Sequence, residues 1–84
     1  MERIIVDISS FNREGEKMIR EFFRFLRQRA VEFTVTANRN DERDKKIVVR
    51  YCVSNRMGII YEGNNLSHQD FESMYRNMRK MRID

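Results

Sequence analysis

Proline is absent from this 84-residue chain, glycine occurs three times, and cysteine and histidine occur once each. With no proline, no low-complexity tract and no internal repeat, nothing marks a linker, and residues 1–84 read as one domain. The three scattered glycines exclude a glycine-rich phosphate loop. Cys52, standing alone, excludes an internal disulfide and suits a reducing compartment. One cysteine and one histidine cannot build a His/Cys zinc site, so no metal and no cofactor are expected. Catalysis by a Cys52–His68 dyad would need contact between the two and a third orienting group, and no other catalytic signature is recognisable. Long apolar runs are missing as well. The Ile4-Ile5-Val6 run is broken by Asp7, too short and too polar for a signal peptide or a membrane span, and a cytoplasmic protein without a membrane partner is expected.

Charge, by contrast, is abundant and uneven. Seventeen basic residues against thirteen acidic ones give a net charge of +4, an ordinary surplus in itself. Thirteen of the seventeen are arginine, a bias toward planar, bidentate contacts with phosphate or carboxylate.

The strongest helix signal, from about Asn12 to Ala30, also carries the longest regularly spaced row of cations. Met18, Ile19, Phe22, Phe23, Phe25, Leu26 and Ala30 share one broad side at 3.6 residues per turn, which predicts a core-facing stripe. Arg13, Lys17, Arg20, Arg24 and Arg27, spaced 4, 3, 4 and 3 residues apart, make a second stripe on the opposite side with no acid inside it. A helix shaped only for solubility usually mixes signs there, because opposite charges at i,i+4 stabilise and like charges do not. At about 1.5 Å per residue the five cations extend over roughly 21 Å, comparable to a few successive phosphates.

The remaining chain reads as strands and one more helix. Arg3 to Ile8 suits a short strand, and Ser9, Ser10 and Asn12 offer side-chain oxygens to cap the first helix. From Val31 to Ala37 the period falls to 2, predicting a strand with Val31, Phe33, Val35 and Ala37 inward. Arg39-Asn40-Asp41-Glu42-Arg43-Asp44 reads as a solvated connection between antiparallel strands, Ile47 to Val53 as the next strand, Asn55-Arg56 as a tight turn, and Met57 to Glu62 as the last strand. Ser67 with Asp70 forms a variant capping box and Leu66 can staple onto Phe71 at the start of a second helix. Phe71, Met74, Tyr75, Met78 and Met81 give it an apolar face, while Arg76, Arg79, Lys80 and Arg82 collect charge at its end.

The expected fold is therefore α+β, ordered β-α-β-β-β-α, a mainly antiparallel four-stranded sheet with both helices on one face. Its other face would present residues such as Thr34, Thr36, Arg50 and Cys52, a surface suited to homodimer contacts. The element order resembles that of the double-stranded RNA-binding domain with a strand added in front, and that of ribosome hibernation factors. The likeness is one of order alone, since Ser67-His68-Gln69-Asp70 stands where a double-stranded RNA-binding domain sets a lysine cluster.

The functional expectation is a non-enzymatic nucleic-acid-binding protein, RNA ahead of DNA, with Arg13, Lys17, Arg20, Arg24 and Arg27 on phosphates and Arg76, Arg79 and Lys80 in support. The alternative is a small inhibitor or adaptor, of the kind viruses and mobile elements encode, that binds an acidic surface of a partner protein. A third reading is a metal-independent ribonuclease using Arg50, Tyr51, Arg56 and Tyr61. Phe11, Phe33, Tyr51 and Tyr61 are candidates for stacking on unpaired bases, with core packing as the commoner role of such residues.

Overall fold

The computed structural model describes residues 2–8, 13–37 and 46–83, and of residues 13, 14, 37 and 83 only the backbone. The expected caps Ser9, Ser10 and Asn12, the aromatic Phe11 and the connection Arg39 to Asp44 lie outside the described residues. The elements are β1 (Glu2–Ile8), α1 (Arg13–Gln28), β2 (Phe33–Ala37), β3 (Ile47–Val53), β4 (Arg56–Gly63) and α2 (His68–Ile83). The chain folds as one α+β domain on a four-stranded mixed sheet.

Strand order in the sheet is β2-β1-β3-β4. β1 pairs parallel with β2, Ile4 beside Phe33 and Val6 beside Val35, because the α1 crossover returns the chain in the same direction. β1 pairs antiparallel with β3, Ile4 beside Tyr51 and Val6 beside Val49, and β3 pairs antiparallel with β4. β2 and β3 do run in opposite directions, as expected, but β1 lies between them. Alternation along a strand cannot reveal this, since it specifies faces and not neighbours.

The period-2 pattern places Ile4, Val6, Ile47, Val49 and Tyr51 on one face, all buried. Both helices cover that face: Ile19, Phe22 and Leu26 from α1 and Phe71, Met74 and Met78 from α2 complete the core. Aromatic contacts fix how each helix is turned. Phe22 stacks on Phe71 with centroids 5.2 Å apart, Phe25 meets Phe71 at 5.5 Å and Tyr75 edge-on at 6.2 Å, and Phe23 stacks on Phe33 of β2 at 4.8 Å. α1 is thus held from both sides by rings that cannot slide without losing contact.

The end of α1 departs from the expected span. Arg29 and Ala30 form a turn, and Ala30 adopts a left-handed φ of 55°. The Val31 amide donates to the Leu26 carbonyl at 3.0 Å and the Ala30 amide to the Arg27 carbonyl at 3.1 Å, a Schellman closure with alanine where glycine is usual. Ala30 is therefore exposed, and Val31 and Leu26, both buried, make the apolar contact that accompanies such a cap.

Three further expectations are revised. β2 begins at Phe33, not Val31, and Val35 is 47% exposed because β2 is an edge strand that the helices cover only toward Phe33. The β3–β4 turn is Ser54-Asn55, with Val53 paired to Arg56, so Arg56 already belongs to the strand. Ser54 takes a φ of 57°, the sign a two-residue hairpin requires at its first turn position. In β4, Val49 faces Tyr61 while Arg50 faces Ile59, which leaves Ile60 as the extra residue of a bulge.

The second helix starts as its sequence specifies. Asp70 accepts from the Ser67 amide at 2.8 Å and Ser67 Oγ accepts from the Asp70 amide at 3.2 Å, while Leu66 and Phe71 are both buried. Its far end is tied down by Arg56, whose guanidinium donates to the Met81 carbonyl at 2.6 Å.

Candidate nucleic-acid interface

Since the rings of Phe22, Phe23 and Phe25 turn the apolar side of α1 toward the sheet and α2, its opposite side points to solvent. Lys17, Arg20, Arg24 and Arg27 lie there, all exposed; the backbone of Arg13 begins the same helix. Arg20 is 79% exposed and meets Glu16 only at 3.9 Å, a surface contact worth little in water. Lys17, Arg24 and Arg27 have no carboxylate partner among the described residues. The Arg27 guanidinium sits 5.6 Å from the Phe33 ring centroid, a cation–π contact at an exposed site.

Cations elsewhere are used by the fold. The Arg29 guanidinium lies 3.5 Å from the Phe25 centroid and 5.2 Å from that of Tyr75, and reaches Glu72 at 3.6 Å, clamping α1 to α2. Arg82 donates to the Tyr51 hydroxyl at 2.9 Å and to Glu2. Burial pushes the Tyr51 phenol up in spite of Arg82, while the Arg82 guanidinium, holding the Tyr51 hydroxyl and Glu2, is fixed in its charged form. Lys46 pairs with Glu62 at 2.5 Å and holds that carboxyl below its ordinary range. The apolar side of α1 was legible in the sequence, but the sorting of arginines into structural and unoccupied ones was not. Arg29 lies one residue past the last helical position, and its partners Tyr75 and Glu72 are distant in the chain.

Arg76, Arg79 and Lys80 are exposed on α2 without a carboxylate partner among the described residues. α2 faces α1 through His68, Phe71, Glu72 and Tyr75. Arg79, four residues past Tyr75, continues that row by one turn beyond the Arg29 contact, with Arg76 beside it, and Lys80 is rotated about 100° from Arg79. The sequence's two basic clusters thus occupy different flanks: one on the outward side of α1, the other past its C-terminal end.

Between the helices a cleft of about 250 Å³ is lined by Glu21, Arg24, Phe25, Gln28, His68 and Phe71. Glu21 and His68 meet across it at 3.1 Å, and the imidazole stands edge-on to Phe71 at 5.2 Å. Arg24 therefore belongs both to the basic stripe and to the rim of a polar cleft, a feature the linear spacing did not disclose.

Other residue groups do not converge. Cys52 lies on the sheet face away from the helices, whereas His68 lies in the helical layer. Arg50 projects from the open face, while Tyr51 and Tyr61 occupy the helix face and Arg56 is engaged with the end of α2. Of the stacking candidates, Tyr51 is fully buried and Phe33 is covered by Phe23. No helix among the described residues is long and apolar enough to cross a membrane. Comparison with models of known families, with curated proteins and with solved structures returned no match.

Proposed function

We propose that this chain is a non-enzymatic, cytoplasmic nucleic-acid-binding protein that grips a phosphate backbone, RNA ahead of DNA, through the outward side of α1. Lys17, Arg20, Arg24 and Arg27 make the contacts, Arg13 extends them at the helix start, and Arg76, Arg79 and Lys80 add long-range attraction. The observation that carries this reading is the sorting of cations. Arg29, Lys46 and Arg82 are spent on carboxylates and rings of the fold, while Lys17, Arg24 and Arg27 of α1 are exposed without a carboxylate partner among the described residues and Arg20 meets Glu16 only at 3.9 Å.

The preference for RNA rests on the cleft beside Arg24. Gln28 and the Glu21–His68 pair line it with donors and acceptors, and unstacked bases are what single-stranded RNA offers and a duplex withholds. Arginine, with its planar fork, suits the phosphates next to such a base better than lysine.

The test is the triple variant Arg20→Gln, Arg24→Gln, Arg27→Gln against labelled single-stranded RNA. If each lost contact forfeits one phosphate's counterion release, affinity at 0.15 M salt falls by about 50-fold. The melting temperature should barely change, because the three side chains are exposed and only Arg27 lies near a ring of the fold, 5.6 Å from the Phe33 centroid. Unchanged affinity would falsify the proposal and turn attention to an acidic surface on a partner protein.

A further inference from the structure

Glu21 is out of place on a surface that meets only phosphate. It stands in the cleft beside Arg24 with its side chain 31% exposed, and a carboxylate there repels the backbone that Arg24 would hold. Its partner across the cleft, His68 at 3.1 Å, is itself 75% exposed, so the pair adds little to stability. That contact uses Oε2 of Glu21 and leaves Oε1 without a partner among the described residues.

The order of groups around the cleft supplies a reason for the carboxylate. At about 100° per residue, Phe25, Glu21, Gln28 and Arg24 follow one another around α1 in steps of about 40°, 20° and 40°. Buried Phe71 and half-buried Phe25 supply the apolar part, Glu21 and Gln28 come next with acceptors and donors, and exposed Arg24 stands at the rim. A nucleotide presents the same succession, a flat ring with polar edges followed by a charged phosphate. The volume of about 250 Å³ lies just under the range of about 300–1,000 Å³ that drug-sized ligands fill, which suits one base.

Resting on the RNA reading proposed above, we infer that this cleft selects guanine among the bases of the bound strand. Guanine alone carries two adjacent donors, N1–H and the N2 amine, on its Watson–Crick edge, and a carboxylate is the acceptor that takes both. On adenine and cytosine an acceptor nitrogen stands next to the amine, and on uracil two carbonyls flank the one N–H, so the same carboxylate meets a lone pair. Gln28 completes the edge by donating its amide to guanine O6, and Arg24 keeps the adjoining phosphate. His68 need not leave, because a carboxylate accepts about four hydrogen bonds.

The experiment is fluorescence anisotropy of the intact chain with labelled oligouridines of one length carrying a central guanosine, inosine, adenosine or cytidine, and plain oligouridine as reference. All carry the same phosphates, so the backbone contribution cancels in their ratios. Guanosine should tighten binding about tenfold or more over the other bases, and inosine, which lacks the N2 amine, should lose most of that gain. Glu21→Gln, checked for an unchanged circular dichroism spectrum, gives the sharper reading. On a surface that only grips phosphate, removing this negative charge strengthens binding to every oligomer. In a guanine pocket it weakens binding to the guanosine oligomer and strengthens the rest, so the preference collapses. Equal affinities across the wild-type series, inosine as good as guanosine, or a guanosine preference that survives Glu21→Gln would each overturn the inference and leave the backbone reading standing. No binding of any oligomer would overturn the backbone reading and the guanine pocket with it.

Discussion

Two residues adopt backbone conformations their side chains disfavour, and both are places where glycine would be at ease. Ala30 and Ser54 have φ of 55° and 57°. An L side chain in the left-handed region costs about 1–2 kcal/mol, partly offset on replacement by the extra freedom glycine has when unfolded. Ala30→Gly removes an exposed methyl from the Schellman position and should stabilise the fold by about 0.5–1 kcal/mol, read as a higher urea midpoint with unchanged m-value. A lower midpoint would contradict the strain assigned there. Neither site was legible from spacing, because the usual marker is glycine itself, and Ala30 counts as one more apolar residue on a helical wheel.

Titration at the residue scale has a definite sign. Burial raises the phenols of Tyr51 and Tyr61 above 10.0 in the folded protein. The unfolded chain therefore releases these protons first, so their contribution is intact below pH 10 and is lost as pH climbs through the raised folded values. Denaturation midpoints should fall above about pH 10. Tyr51→Phe should make that fall shallower while removing, at neutral pH, the hydrogen bond from Arg82, worth about 1 kcal/mol. Equal slopes in the two proteins would show that Tyr51 ionisation is not limiting.

At the scale of elements, helices were easier to read than strands. α1 and α2 each carry a 3.6 period long enough to identify themselves, and Ser67 with Asp70 announced the second start correctly. β2 had the cleanest alternation in the chain yet forms an edge, with Val35 exposed, because alternation says nothing of which strand stands beside which. The same scale separates two arginines five residues apart. Arg29 lies over Phe25 and beside Tyr75, so Arg29→Ala should cost about 1–2 kcal/mol of stability and leave RNA affinity unchanged. Arg24→Ala should do the reverse: little change in melting, several-fold weaker RNA binding. Paired thermal melts and binding isotherms distinguish the two, and a loss of affinity in both variants would mean that the helix pair, not the stripe, is what RNA senses.

At the scale of the whole molecule, the sheet divides two surfaces of opposite character. Helices and their cations lie on one side, and a mixed face with Met57 and Ile59 exposed lies on the other. The basic stripe was legible in the sequence because it follows one helical period. The cleft beside Arg24 and the apolar residues of the open face were not, since both depend on side chains that only the tertiary register brings together.

The most direct test of the central claim is the salt dependence of RNA binding, measured by fluorescence anisotropy for the wild type and for the variant lacking Arg20, Arg24 and Arg27. Each single-strand phosphate contact contributes about −0.7 to the slope of log K against log salt, so the variant's slope should be shallower by about 2. Parallel lines for the two proteins would contradict the assignment of phosphate contacts to the α1 stripe.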